Sequence, residues 1–288
     1  MTIKAENLNF YYGKEHVLKD IHFECKEPKI YGLLGRNGAG KTTLLSLIAS
    51  FRGPTSGKLL IDGKVPFENA EIMQLVTMAY SKDTQGETDN AKSVIEAANT
   101  FRPNFDLEYA MELVEKFKLD LKKPIHKLSK GKQSITNVII GLASRSPITI
   151  FDEVYLGMDA PARDLFYKEL LKEQERHPRI IILSTHLVSE MDYLFDDVII
   201  LKEGKLLLHE TYEELMSRGI TLIGSKESVE TFSSGKTIIG REQLGDTHSV
   251  TIYGPFSNEE KQRAKAHGLQ LANVSLHDLF IQLTKEED

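Results

Sequence analysis

The sequence lacks any long apolar run, and it has a single cysteine, Cys25. Its longest uninterrupted apolar stretches, such as residues 180–183 and 198–201, are far shorter than the roughly 18 residues that a membrane-spanning helix needs. The first residues enter an alternating strand pattern without the basic and apolar regions of a secretory signal. One cysteine excludes an internal disulfide, which agrees with a reducing compartment. We therefore expect a cytoplasmic protein that does not itself cross a bilayer.

An excess of positive charge is also absent. The 288 residues include 36 lysines and arginines against 42 aspartates and glutamates, so the formal net charge is −6. A nucleic-acid-binding chain carries a basic footprint, and we therefore expect no nucleic-acid partner. Hydrophobic residues make up 41% of the chain and charged residues 27%, which is typical of a globular protein that folds as one or two domains.

A glycine-rich stretch, GLLGRNGAGKTTLL, occupies residues 32–45 between an apolar strand pattern and a leucine-rich helix pattern. Gly35, Gly40, Lys41 and Thr42 fit the phosphate-binding loop pattern G-x-x-x-x-G-K-[ST]. Glycines let consecutive backbone N–H groups converge on phosphate oxygens, and the helix N-terminus adds partial positive charge. We expect Lys41 to reach the β- and γ-phosphates and Thr42 to offer its hydroxyl to Mg²⁺. The residues predicted to bind the nucleotide here are Asn37, Gly38, Gly40, Lys41, Thr42 and Thr43.

Polar residues follow two further apolar strand patterns. Residues 148–151 run into Asp152 and Glu153, and residues 180–183 run into a segment that ends at His186. Parallel strands end at one edge of a sheet, so we expect these side chains to lie near the glycine loop. There Asp152 can hold Mg²⁺, Glu153 can polarise the attacking water, and His186 can contact the γ-phosphate.

The segment KLSKGKQS, residues 127–134, precedes an apolar helix pattern at residues 135–143. Ser129 and Gly131 place a hydroxyl and backbone amides at that helix N-terminus, which predicts a second anion site. One chain has no obvious use for such a site. Two chains facing each other would use it, because each would close the nucleotide of the other.

Taken together, these motifs resemble those of the ATP-binding subunit of an ABC transporter over about residues 1–215. Residues 35–42 resemble the Walker A motif, residues 148–153 the Walker B motif with its catalytic glutamate, and LSKGK the LSGGQ signature. Residues 156–159 resemble the D-loop at the dimer interface, and His186 resembles the switch histidine. The resemblance also implies that Tyr12 stacks on adenine.

The sequence departs from the family pattern at several positions. In the signature, Lys130 replaces the first of two glycines and Lys132 replaces the glutamine, while Ser129 and Gly131 remain. We expect hydrolysis to survive these changes. By counting from the preceding strand, Asp83 occupies the position of the family's glutamine-loop ligand, which makes it a candidate Mg²⁺ ligand with Gln85 as the alternative.

Phrases such as GLASRSPITIFDE and LSTHLVSEMDYLFDDVIIL resemble the ATPases of the YtrB type, from Gram-positive export operons. That group includes exporters of phenol-soluble modulins, which are amphipathic cytolytic peptides. The resemblance implies an ATPase that dimerises around ATP and powers a separate integral membrane permease, an exporter of antimicrobial or cytolytic peptides. It also implies a location on the inner face of the membrane, through the permease. The second ATPase subunit is either a copy of this chain or a sister ATPase.

The expected fold class is α/β, a P-loop NTPase of the ABC type. It combines a RecA-like parallel sheet with an antiparallel β subdomain and a helical insert. We expect a nucleotide-binding domain at residues 1–217, with a helical subdomain at about 84–140. Residues 218–288 are expected to form a small α/β accessory domain that serves in packing, dimer support or regulation.

Two other functions compete with transport. One is a soluble ABC ATPase that acts on ribosomes or DNA. Such proteins usually carry two cassettes or long coiled coils, whereas this chain has one cassette and no sustained heptads. The other is a nucleotide-gated scaffold without turnover, against which Asp152, Glu153 and His186 argue.

Overall fold

The computed structural model describes residues 1–81, 84 and 86–285. It divides the chain into two compact units. The first contains Met1–His186 and Ile199–His209, and the second contains Leu187–Val198 and the chain from Glu210 onward. The expected division into a domain at residues 1–217 and an accessory domain at residues 218–288 stays a prediction. No helix in the described part of the chain is long and apolar enough to cross a membrane.

A six-stranded sheet forms the centre of the first unit, in the order β5-β6-β7-β3-β8-β9. Its strands are β3 (Ile30–Gly35), β5 (Val76–Tyr80), β6 (Ile148–Asp152), β7 (Ile180–Thr185), β8 (Asp197–Lys202) and β9 (Lys205–Thr211). Adjacent pairs among β5, β6, β7 and β3 are parallel. Continuous apolar runs suit this arrangement because parallel strands are covered on both faces. The carboxyl ends of these four strands consequently lie along one edge.

A three-stranded antiparallel sheet, in the order β2-β1-β4, belongs to the same unit. Its strands are β1 (Ile3–Tyr12), β2 (Glu15–Cys25) and β4 (Ser56–Ile61). Apolar residues from this sheet, from the first helix and from the parallel sheet form one buried cluster that includes Leu8, Leu44 and Ile150. This architecture confirms the expected α/β class with an antiparallel β subdomain.

The helices of the first unit are α1 (Lys41–Ile48), α2 (Ala70–Met73), α3 (Ala91–Phe101), α4 (Leu107–Lys116), α5 (Lys130–Ala143) and α6 (Ala160–Arg176), with a 3-10 turn at Ile125–Lys127. Several begin at polar caps that are visible in the sequence. Asp106 accepts a hydrogen bond from the Tyr109 backbone at 2.9 Å, and Asp159 accepts one from the Ala162 backbone at 3.0 Å. Such caps satisfy N–H groups that the helix itself leaves unpaired.

The second unit contains a four-stranded sheet in the order β11-β12-β10-β13. Its elements are α7 (Val188–Met191), a 3-10 turn at Asp192–Leu194, α8 (Tyr212–Ser217), β10 (Gly219–Gly224), α9 (Lys226–Ser233), β11 (Ile238–Leu244), β12 (Thr247–Tyr253), α10 (Asn258–Ala266), β13 (Gln270–Asn273) and α11 (Leu276–Thr284). From β10 to β13 the order is βαββαβ, the ferredoxin-like motif. The four residues of β13 show little alternation of apolar and polar side chains, so the sequence alone does not indicate this strand.

A largely buried ionic cluster, formed by Arg145, Glu173 and Arg179, links α6 to β6 and to the start of β7. Glu173 of α6 is 1% exposed and accepts a hydrogen bond from Arg145 Nε at 2.8 Å. Arg179 Nη1 lies 3.6 Å from the same carboxylate, and Arg179 Nε donates to Thr149 Oγ1 of β6 at 3.1 Å. Burial lowers the pKa of the Arg179 guanidinium, and the Glu173 charge opposes that shift. The cluster therefore fixes β6 and the start of β7 to α6.

We expect Glu173→Gln to destabilise the protein by about 3 kcal/mol, since the change leaves the buried Arg179 guanidinium without its counter-charge, while Arg145 keeps its ion pair with Asp106 at 2.6 Å. Urea denaturation measures this loss. Asp164→Asn is the matched control, because Asp164 forms an exposed pair with Lys168 on the same helix at 2.7 Å. Equal stability losses for the two variants would contradict a stabilising role for the buried cluster.

Candidate functional site

The glycine loop joins β3 to α1 in a backbone conformation that requires glycine. Gly38 has a φ angle of 80° and Gly40 one of 99°, both in the left-handed region that L-residues with side chains avoid. A Cβ atom on Gly40 would also lie 2.8 Å from Leu18 Cδ2. The loop is held from outside by the Gly204 backbone N–H, which donates to Ala39 O at 3.2 Å. The glycines therefore allow the tight turn that joins β3 to α1.

Lys41 lies inside this loop and is only 6% exposed. Its Nζ donates to Gly35 O at 2.7 Å and to Arg36 O at 3.4 Å, and lies 3.7 Å from Glu153 Oε1. The ammonium group thus places a positive charge where the loop and the ends of two strands meet. Phosphate oxygens are the natural partners for such a charge.

The other loop residues differ in exposure. Asn37, Gly38 and Thr42 are exposed, so their polar groups are open to solvent. Thr43 is buried at 8% exposure, and its carbonyl accepts from Ser46 Oγ at 2.7 Å. Of the two threonines, Thr42 is therefore the one whose side chain is open to a ligand.

The two acids after β6 occupy different environments. Asp152 is 6% exposed, lies opposite Ser184 in the parallel register, and accepts a hydrogen bond from Ser184 Oγ. Glu153 has a φ of 49°, a left-handed conformation that costs a non-glycine residue about 1–3 kcal/mol. The Glu153 carboxylate lies close to both Lys41 and His186 while the backbone of the same residue is strained.

His186 follows β7, and its Nδ1 lies 3.0 Å from Glu153 Oε1. The same nitrogen lies 3.3 Å from the hydroxyl of Tyr155, a residue that the sequence patterns did not single out. The structure therefore brings together Lys41, Glu153 and His186, and Asp152 directly precedes Glu153 at the end of β6. Tyr155 could not be found from local pattern because only the packing of the loop after β6 carries it to β7.

The signature segment forms a different surface of the same unit. Ser129 caps α5 by accepting from the Lys132 backbone at 3.3 Å. A Cβ atom on Gly131 would lie 2.3 Å from Gly157 O, so glycine is required for α5 to approach the loop at residues 156–159. Ser129, Gly131 and Asp159 line an open cleft of about 440 Å³. Within the described part of the chain, no hydrogen bond or ion pair links Ser129 or Gly131 to Lys41 or Glu153.

Lys132, one of the two unexpected lysines, is bound within the chain. Its Nζ donates to Phe117 O at 2.6 Å and to Lys118 O at 3.0 Å, at the C-terminus of α4. The last carbonyls of a helix lack intrahelical partners and carry partial negative charge, which a lysine satisfies. The lysine consequently anchors the N-terminus of α5 to α4.

Two further predictions concern Tyr12 and Asp83. Tyr12 ends β1 and is 41% exposed; its ring meets Phe10 edge-on at 4.9 Å, and the Arg52 guanidinium lies 5.0 Å from its centroid. The adenine contact of Tyr12 stays a prediction. Asp83, the candidate Mg²⁺ ligand, and its alternative Gln85 both lie outside the described residues.

Comparison with known proteins identifies relatives along most of the chain. A family model for the ABC transporter matches residues 18–155. An ABC transporter ATP-binding protein of Methanocaldococcus jannaschii is 30% identical, covering 70% of this chain and 78% of that protein. The ABC transporter ATP-binding protein YtrB of Bacillus subtilis is 26% identical, covering 90% and 89%. The bacitracin transport ATP-binding protein BcrA of Bacillus licheniformis is 29% identical, covering 87% and 82%.

The fold comparison agrees with these relatives. A solved structure of the ATP-binding subunit of an ABC transporter superposes with a TM-score of 0.67 at 22% identity. The match covers 75% of this chain and 92% of that chain. At this identity the likeness establishes the fold, which is that of an ATP-binding cassette.

We expect Lys132→Met to lower the free energy of unfolding by about 1–2 kcal/mol, because it removes two charge-assisted hydrogen bonds to the end of α4. Chemical denaturation measures the change. Lys130→Met is the matched control, since Lys130 lies on the same helical turn with an exposed side chain. If both variants had the stability of the parent, Lys132 would not act as an anchor.

Proposed function

The chain belongs to the ABC transporter family of ATP-binding proteins and is an ATPase of that family, and we propose that two such subunits close face to face around two ATP molecules. The observation that carries the proposal is that one chain presents the glycine loop and the signature segment on different surfaces. Lys41, Glu153 and His186 meet at the glycine loop, whereas Ser129 and Gly131 line a different cleft. Both surfaces can serve one ATP only if the second comes from a partner.

We propose that the glycine loop binds the phosphates of ATP. Lys41 would exchange the carbonyls of Gly35 and Arg36 for the β- and γ-phosphates. Asn37, Gly38, Gly40 and Thr43 would contribute backbone contacts at the loop and the first turn of α1. Tyr12 carries an aromatic ring and is 41% exposed, and an exposed ring of this kind suits stacking on adenine.

The residues present fit Mg²⁺. In the described part of the chain, no group of three or more histidine, cysteine or acidic residues forms a metal site. Mg²⁺ commonly uses one or two protein oxygens and completes its shell with water and phosphates, so a hydroxyl and a carboxylate are sufficient donors. The exposed Thr42 hydroxyl and the Asp152 carboxylate would hold it, with Asp83 as a further candidate. When bound, the ion neutralises charge on the phosphates.

Hydrolysis would depend on positioning and on charge. The Glu153 carboxylate would orient and polarise a water molecule for attack in line with the γ-phosphate. His186 would contact the γ-phosphate from the end of β7, and Lys41 would stabilise the charge that develops there. In the partner, Ser129 and Gly131 would add a hydroxyl and a helix N-terminus to the same phosphate.

We propose that closure and opening of this dimer drive a separate integral membrane permease, with the ATPase on the inner face of the membrane. Resemblance to the YtrB type, together with a relative named for bacitracin transport, supports export of antimicrobial or cytolytic peptides, with phenol-soluble modulins as a specific candidate. The dimer partner is a second copy of this chain or a sister ATPase.

We expect Glu153→Gln to lower the rate of ATP hydrolysis at least about 100-fold, since it removes the group that polarises water. ATP affinity should stay close to that of the parent, and ATP should shift the variant to a dimer in size-exclusion chromatography. Lys41→Ala is the contrasting variant, and calorimetry should show that it loses ATP affinity. Hydrolysis by Glu153→Gln at the parental rate would rule out its assigned role.

The transport proposal predicts a membrane partner. When the tagged chain is purified from detergent-solubilised membranes of its native cells, an integral membrane protein should co-purify, and ATP hydrolysis should rise in the complex. Glu153→Gln should retain the partner without turnover, which controls for assembly. Recovery of ribosomes or DNA in place of a membrane protein would instead support an ABC ATPase outside transport.

A further inference from the structure

We propose that Tyr155 is a positioning residue for His186, holding the imidazole in the tautomer that carries its proton on Nε2. The inference rests on the proposed role of His186 at the γ-phosphate. Tyr155 stands two residues after Glu153, in the segment that follows β6.

Tyr155 is rigidly placed. It is 2% exposed, and its hydroxyl oxygen accepts a hydrogen bond from Thr185 Oγ1 at 2.9 Å. The backbone N–H of His186 donates to the same oxygen at 3.2 Å. Two donors at the end of β7 therefore fix the hydroxyl directly beside the histidine.

These two contacts also orient the tyrosine proton. Because the oxygen already accepts from Thr185 and from the His186 backbone, its own hydrogen points away from both donors. His186 Nδ1 lies 3.3 Å from the hydroxyl, and the two rings are 6.1 Å apart at an angle of 55°. The hydroxyl is thus placed to donate to Nδ1. An imidazole that accepts at Nδ1 and is neutral carries its proton on Nε2.

Glu153 competes for the same nitrogen. Its Oε1 lies 3.0 Å from Nδ1, and a carboxylate there favours a proton on Nδ1. The carboxylate also lies 3.7 Å from Lys41, so it faces the residues that would bind the phosphates. When Glu153 turns to its water molecule, Tyr155 remains as the partner of Nδ1. The Nε2–H group is then left to donate to the γ-phosphate.

The kinetic test replaces Tyr155 with phenylalanine, which keeps the buried ring and removes only the hydroxyl. We expect kcat for ATP hydrolysis to fall about tenfold, the effect of one lost hydrogen bond at the reacting group, while KM for ATP changes less than about twofold. Tyr109→Phe is the matched control. Tyr109 is also buried, and its hydroxyl has no hydrogen-bond partner among the residues that the structure describes. Its kcat should equal that of the parent.

A spectroscopic test is independent of turnover. In the full-length Glu153→Ala variant, which lacks the competing carboxylate, long-range ¹⁵N–¹H correlation of the histidine rings should show His186 Nδ1 without a proton. Adding Tyr155→Phe should abolish this preference, and adding Tyr109→Phe should not. His186→Gln assigns the resonance by removing it. Should Tyr155→Phe fail to fold, Thr185→Val removes a donor to the same hydroxyl and should lower kcat in the same direction.

The outcomes separate this inference from the proposed function. If His186→Gln hydrolyses ATP at the parental rate, the assigned role of the histidine is wrong. If His186→Gln loses activity while Tyr155→Phe keeps a parental kcat or leaves the His186 resonances unchanged, the positioning role of Tyr155 is overturned. A fall in kcat for Tyr155→Phe, with unchanged KM and an altered tautomer, supports it.

Discussion

The candidate site depends on one constraint, the parallel register between β6 and β7. That register sets Asp152 opposite Ser184, and the hydrogen bond between their side chains holds it there. The residues that follow, Glu153 and His186, are consequently brought within hydrogen-bonding distance. Because β3 pairs with the other side of β7, the loop after it delivers Lys41 to the same edge. A slip of one residue in this pairing would turn the side chains to opposite faces of the sheet.

The buried ionic cluster protects this register from the far end of the strands. Arg179 immediately precedes β7 and donates to Thr149 of β6, while Glu173 of α6 supplies the counter-charge. Sliding either strand would separate charges that are out of reach of water, which is costly. The strained backbone of Glu153 persists for the same reason, since both flanking strands are held in place. The ionic cluster at the amino ends of β6 and β7 thus helps to keep the residues at their carboxyl ends in position.

The signature segment is positioned by a close approach between two stretches of backbone and not by strand register. Gly131 permits α5 to lie against the loop at Gly157, and Lys132 ties the same helical turn to α4. Both contacts fix the direction of the α5 N-terminus without involving the glycine loop. In the proposed dimer, the signature segment of one subunit and the glycine loop of the other would form the two halves of one anion site.

The sequence by itself determined what depends on local backbone and periodicity. The glycine loop, the polar residues after each buried strand and the α/β class could all be predicted, because they follow from local backbone preference and from the shared edge at which parallel strands end. Only the tertiary structure decided which atoms meet. The sequence marks Lys132 only as a departure from the signature and does not mark Tyr155 at all. Their roles arise because packing brings a hydroxyl to His186 and an ammonium group to the end of α4. Such contacts join residues far apart in sequence, and no local periodicity encodes them.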